Sequence, residues 1–267
     1  MCELFTMSSS TPTEVSFSLD EFSKHGGLTD KHRDGWGIAY YDLNDARIVK
    51  EACSASESTY LSFIKNLNIQ SKIIISHIRL ATQGEISVRN TQPFSRELGG
   101  RQHTFVHNGN FSELDTQLSK KKKCFKPVGN TDSELSFCIL MEKMTAIWNE
   151  DIPPNLTKRL EIFTSFCNEM RRYGIANFIY SDSDYTFIHS HKRLIESGTK
   201  KTSPGLYILH RNCPIETSEN KINGLEIKTD KSQHVIIVAS VPLSNENWKA
   251  INEGEIKVLH NGEIITP

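Results

Sequence analysis

Ile73-Ile74-Ile75-Ser76-His77-Ile78-Arg79 runs directly into Leu80-Ala81-Thr82-Gln83-Gly84. The first seven residues read as a strand, because β-branched side chains dominate a short apolar run, and a run that apolar belongs inside the protein. Arg79 stands where this strand ends, so its guanidinium is expected at a rim. A planar fork there suits a carboxylate. Taken alone, an arginine in such a place reads as a surface salt bridge.

Similar strand-like runs recur at 2–7, 37–41, 103–107, 175–181, 185–190, 205–210 and 234–240, bounded by Gly, Asp, Asn or Ser. Helical patterns are fewer. Ser18-Leu19-Asp20-Glu21 forms a capping box before Phe22 and Gly26-Gly27, which gives a short helix near 19–25. Thr131-Asp132-Ser133-Glu134 is a second box, followed by Phe137, Met141, Met144 and Trp148 at helical spacing. A third helix spans about 156–173, with Leu160, Phe163, Phe166, Cys167 and Met170 on one side. Many strands with a few packed helices imply a layered α/β protein. Pro153-Pro154 reads as a loop inside one domain of 267 residues, and Ser119-Lys120-Lys121-Lys122-Lys123 as a solvated loop.

The 31 basic side chains nearly cancel 32 acidic ones, so bulk charge suggests neither a nucleic-acid nor an anionic-membrane partner. No apolar run approaches the roughly 20 residues of a membrane-spanning helix. The first residues, Met1-Cys2-Glu3-Leu4-Phe5, lack the basic start of a signal peptide. Cys2, Cys53, Cys124, Cys138, Cys167 and Cys213 contain no CxxC pair, which fits a reduced, cytoplasmic protein. The histidines at 25, 32, 77, 103 and 107 include no HExxH or His-x-His pattern; His77 and His107 read as hydrogen-bonded core histidines, and no metal is assigned. Neither a Walker A loop nor a GxGxxG fingerprint occurs, and no cofactor is expected.

Cys2 is placed so that removal of Met1 would leave a thiol and a free α-amine on one residue. An α-amino group with a pKa of about 7.7–8.0 can take a thiol proton near neutral pH. A lone cysteine is more often a small buried hydrophobe. Here four motifs accompany it in order: His32-Arg33-Asp34-Gly35-Trp36-Gly37, His77-Ile78-Arg79-Leu80-Ala81-Thr82-Gln83-Gly84, Phe105-Val106-His107-Asn108-Gly109-Asn110 and Gly129-Asn130-Thr131-Asp132-Ser133-Glu134. Asn108-Gly109 offers a side-chain amide beside an unhindered N–H, two donors that can hold an oxyanion, although an isolated Asn-Gly reads as a hairpin turn. Asp132 opens a helix, where its charge is stabilised by the dipole without any ligand. Trp36 between two glycines reads either as a flat apolar pocket wall or as core.

Together these motifs resemble the class II glutamine amidotransferases, whose nucleophile is the N-terminal residue. Asn90-Thr91-Gln92-Pro93-Phe94 and Pro242-Leu243-Ser244-Asn245-Glu246-Asn247-Trp248 extend the resemblance to a stand-alone, YafJ-like branch. The resemblance implies an αββα four-layer sandwich with two packed, mainly antiparallel sheets. It implies Cys2, Asn108 and Gly109 as catalytic residues. Arg79 would take the substrate α-carboxylate and Asp132 its α-ammonium, with Thr82 and Trp36 lining the glutamyl pocket. The implied activity is γ-glutamyl amide cleavage through a Cys2 thioester. While Met1 is attached, the Cys2 nitrogen is an amide and not a base. Many members carry Trp after the motif arginine where this chain has Leu80, so the pocket ceiling is expected to differ. Larger members fuse an ammonia-consuming domain for which no residues remain here. Three readings follow: a stand-alone hydrolase of glutamine or a γ-glutamyl conjugate, a glutaminase subunit serving a separate synthase, or a non-catalytic γ-glutamyl sensor.

Overall fold

The apolar runs 73–78 and 235–239 are buried on both faces, and that double burial sets the architecture. The computed structural model describes residues 2–13, 22–29, 32–67, 69–112, 114, 124–148, 152–194, 201–213 and 233–266. β1 (Glu3–Thr13), β2 (Trp36–Asp42), β3 (Asp45–Glu51), β4 (Ser71–Ile78), β11 (Tyr207–Cys213), β12 (Gln233–Ala239) and β13 (Lys249–Ala250) form a sheet in the order β13-β11-β12-β1-β4-β2-β3. β5 (Phe94–Leu98), β6 (Arg101–Phe111), β7 (Gly174–Ser181), β8 (Thr186–His189), β14 (Ile256–His260) and β15 (Glu263–Ile265) form a second, ordered β15-β14-β8-β7-β6-β5. β9 (Arg193–Leu194) and β10 (Lys201–Thr202) make a small ribbon. Every pairing in the two large sheets is antiparallel.

Strand alternation distributes side chains among three apolar layers. Leu4, Ile73, Ile75, Ile236 and Val238 of the first sheet meet Val106, Ile179, Ile188 and Leu259 of the second in a middle layer. Their neighbours Phe5, Met7, Ile74, Ile78 and Ile237 face outward onto Leu61 and Ile64 of α1 (Thr59–Lys65). On the far side Phe105, Phe178, Tyr180 and Phe187 face Phe137, Leu140 and Met141 of α2 (Asp132–Met144) and Phe163 and Phe166 of α3 (Leu156–Met170). The order helix, sheet, sheet, helix is the expected αββα sandwich.

The caps follow their chemistry. Ser58 Oγ accepts from Leu61 N–H at 2.9 Å, Thr131 Oγ1 from Glu134 N–H at 3.2 Å, and Asn155 Oδ1 from Lys158 N–H at 3.0 Å. Glu134 does not complete a reciprocal box. Its carboxylate instead accepts from Val128 N–H, Gly129 N–H and Arg96 Nη2, and so fixes the loop leading into α2. α2 stops at Met144 and α3 at Met170, short of the expected 148 and 173, because the chain turns at 145–147 and 171–173. The 18–21 capping box and the lysine run lie outside the described residues, although 22–24 are helical.

Candidate active site

β1 begins where β4 ends, with Glu3 opposite Ile78 and Leu4 opposite His77. That register alone brings Cys2 and Arg79, some 77 residues apart in sequence, to the same end of the first sheet. Cys2 Sγ accepts from Leu80 N–H at 3.3 Å and lies 3.4 Å from Leu80 O, to which the thiol donates. Asp34 holds this segment: its Oδ2 accepts from Ala81 N–H at 2.7 Å, its N–H donates to Arg79 O at 3.2 Å, and Arg79 N–H donates to Gly35 O at 2.8 Å. Gly35 has φ 149° and no room for a side chain, since a Cβ would lie 2.8 Å from Thr91 Oγ1.

Asn108 comes from the opposite sheet. In β6 it faces the middle layer, like Val106, and its Nδ2 donates to the Cys2 carbonyl oxygen and, at 3.3 Å, to Ser240 Oγ. Asn108-Gly109 is not a turn at a strand end. The strand continues to Phe111, with Asn108 opposite Asn177 and Gly109 opposite Ala176. The glycine answers a close approach instead: a Cβ there would sit 1.8 Å from Ile175 O. Asn177 secures the same point, its Nδ2 donating to Asn108 O at 2.9 Å.

Arg79 does not stand open at a rim. It is 3% exposed, and its guanidinium donates to Glu85 O and Gln83 O at 3.0 Å and to Gly84 O at 3.3 Å. The cation therefore wraps the 83–85 loop around itself, and three of its five N–H groups are engaged. Asn90 extends the wrap, donating to Glu85 O at 3.0 Å and Asn130 Oδ1 at 2.8 Å. Asp132 is likewise partnered. Its Oδ2 accepts from Phe111 N–H at 2.7 Å and its Oδ1 from Ser133 N–H at 2.8 Å, which ties the first turn of α2 to the end of β6.

One expected pocket residue falls elsewhere. Trp36 faces the outer layer with Ile38 and Tyr40, is 2% exposed, and donates Nε1–H to Glu51 Oε2 at 3.2 Å. The period of two decides this, because Gly37 and not Trp36 points toward the middle layer. Thr82 lies exposed in the loop after Arg79. His107 is the hydrogen-bonded core histidine expected, with Nδ1 2.9 Å from Ser133 Oγ and Nε2 2.9 Å from Ile175 O. His77 departs from that reading: neither ring nitrogen has a partner among the described residues. Burial, with Arg79, His107 and His32 nearby, keeps it neutral by lowering its pKa well below the usual value.

Burial also pushes the Cys2 thiol up, only partly offset by the Leu80 hydrogen bond and by Arg79. A thiol in that state is a poor nucleophile until a base removes its proton. The site thus joins a half-buried thiol, a carboxamide over its main chain, a buried guanidinium and a helix-terminal carboxylate. Asp34, Ser240 and Asn177 were not singled out by the sequence. Asp34 lay within a quoted motif, but nothing in the spacing linked it to Ala81.

A sequence model of the class II glutamine amidotransferases matches residues 1–267. This chain belongs to that family of enzymes. It is 33% identical over 268 residues to YafJ of Escherichia coli, covering 98% of this chain and 99% of that one. A glutamine amidotransferase homologue of Haemophilus influenzae is 32% identical over 270 residues, covering 99% of this chain and 86% of the relative. The crystal structure of a predicted glutamine amidotransferase from Pseudomonas aeruginosa superposes with a TM-score of 0.71 at 29% identity over 100% of both chains. Glutamine phosphoribosylpyrophosphate amidotransferase of B. subtilis shares the fold, with a TM-score of 0.62 at 15% identity over 99% of this chain and 48% of that one.

Proposed function

We propose that this class II amidotransferase chain is a stand-alone hydrolase of γ-glutamyl amides, acting through Cys2 exposed as the N-terminal residue by removal of Met1. The observation that carries the reading is the meeting at Cys2 of two sheets: Leu80 at the end of β4 holds the thiol while Asn108 of β6 lies over the carbonyl. The raised thiol pKa calls for an adjacent base, and the α-amine of a processed Cys2 supplies one within the same residue. Asn108 Oδ1 is buried and without a partner among the described residues, an acceptor suited to that amine once it is free.

In this mechanism the α-amine takes the thiol proton and the thiolate attacks the γ-carbonyl carbon. The carbonyl oxygen becomes an oxyanion held by Asn108 Nδ2 and Gly109 N–H. The C–N bond then breaks as the ammonium delivers its proton to the leaving nitrogen, giving a γ-glutamyl thioester. Water, deprotonated by the amine, attacks the thioester; the C–S bond breaks, glutamate leaves and the proton returns to sulfur. Arg79 offers its cation and a remaining N–H group to the α-carboxylate, and the free lone pairs of Asp132 take the α-ammonium. The catalytic unit is one domain spanning the chain, and six free cysteines suit a reducing cytoplasm. The test is to incubate Met1-processed protein with glutamine and γ-glutamyl peptides and follow glutamate by mass spectrometry. Release from at least one substrate is expected, and no release from any of them would sink the stand-alone reading.

A further inference from the structure

Ser240 follows Ala239, the last residue of β12, and is 1% exposed. Its Oγ accepts from Leu4 N–H at 2.9 Å and lies 3.3 Å from Asn108 Nδ2. Its backbone is fixed on both sides, with N–H donating to Leu4 O at 3.0 Å and O accepting from Arg193 Nη1 at 2.6 Å. The hydroxyl therefore sits on a rigid support between the strand that carries Cys2 and the carboxamide that reaches Cys2 from the other sheet. The second acceptor for Nδ2 is the Cys2 carbonyl. Both N–H bonds of a primary amide lie in the amide plane, so two fixed acceptors define that plane and decide which edge carries nitrogen.

We propose that Ser240 is a further positioning residue for amide hydrolysis, holding the Asn108 carboxamide in the plane from which Nδ2 meets the developing oxyanion. The inference rests on Asn108 being the oxyanion donor. The Ser240 contact is neutral and long, so a charge-assisted bond to the oxyanion replaces it readily, while the hydroxyl keeps its bond from Leu4 N–H. Because the amide plane is set beforehand, only this one acceptor is exchanged when charge develops.

The experiment compares glutamate release by processed wild type, Ser240→Ala, Ser240→Thr, Asn108→Ala and the Ser240→Ala/Asn108→Ala double variant, with melting temperatures as a folding control. Ser240→Ala is expected to lower kcat about tenfold to a hundredfold with little change in KM, less than the about 10²–10³-fold for losing an oxyanion donor outright. Ser240→Thr, which keeps the hydroxyl, is expected to recover most of that loss. In the Asn108→Ala background, Ser240→Ala should lower kcat no further, because its effect passes through the missing amide. An unchanged kcat in Ser240→Ala, or an equal fall in both backgrounds, overturns the proposal. A wild type that releases no glutamate overturns the reading of the site and the role of Ser240 with it.

Discussion

The two halves of the site are held in different ways. On the first sheet, Cys2 and Arg79 lie just beyond strand ends, and their partners are backbone groups of Leu80 and the 83–85 loop. On the second, Asn108 and Gly109 lie inside β6, paired with β7 and backed by Phe105, Phe137, Phe166 and Phe178 in contact with one another. Residues at a strand end are free to change without unpacking a core. Residues inside a strand are not, so chemistry and stability should separate on the first sheet and stay coupled on the second.

The largest expected effect is on the first side. Cys2→Ala should reduce glutamate release on the order of 10⁴-fold or more, while stability measured by chemical denaturation falls by no more than about 1 kcal/mol. A large loss of stability in that variant would break the contrast. Gly109→Ala is the counterpart on the second side. Its Cβ would collide with the Ile175 carbonyl, and a stability loss of about 3 kcal/mol or more, together with loss of turnover, is expected from chemical denaturation and the same assay.

What could be read in advance follows the same division. The interior strands β1, β4, β6, β7 and β12 announced themselves as β-branched and aromatic runs, because burial on both faces leaves little room for polar residues. β3, β5, β13 and β15 escaped notice, and so did the interior β14 and the β9–β10 ribbon. The first four are edge strands, and Asp45-Ala46-Arg47-Ile48-Val49-Lys50-Glu51 shows why they are hard to read: charges are tolerated where one side faces water. Around the site, Cys2, Arg79, Asn108 and Asp132 were visible through motif order. The bonds between Asn108 and Ser240, 132 residues apart, and between Asp34 and Ala81, 47 apart, were not, because sheet register creates them and spacing does not. Trp36 between glycines reads as pocket wall or as core, and strand alternation decides for the core.

Acid stability sharpens the contrast further. On the second sheet His103, His107 and His189 are buried and their pKa values are lowered, His189 from 6.5 to about 4, chiefly by burial. Between those values the unfolded chain binds a proton that the folded chain refuses, so stability falls as pH falls from about 6.5 to about 4. His189 alone should account for a loss of up to about 3 kcal/mol. Denaturant midpoints across that range should decline less steeply for His189→Gln than for wild type; equal slopes would contradict the assignment. The smallest effect is expected at Trp36→Phe, which removes the Nε1–H bond to Glu51. A stability loss of about 0.5–1.5 kcal/mol with unchanged kcat/KM would place Trp36 in the outer core alone.

The account turns on one atom, the α-nitrogen of Cys2. The direct measurement is labelling by a diazo-ketone glutamine analogue, with the modified residue located by peptide mass, in processed protein and in protein retaining Met1. An adduct on Cys2 is expected only in the processed form and none in Cys2→Ala. Equal labelling with Met1 attached, or an adduct on another cysteine, would contradict it.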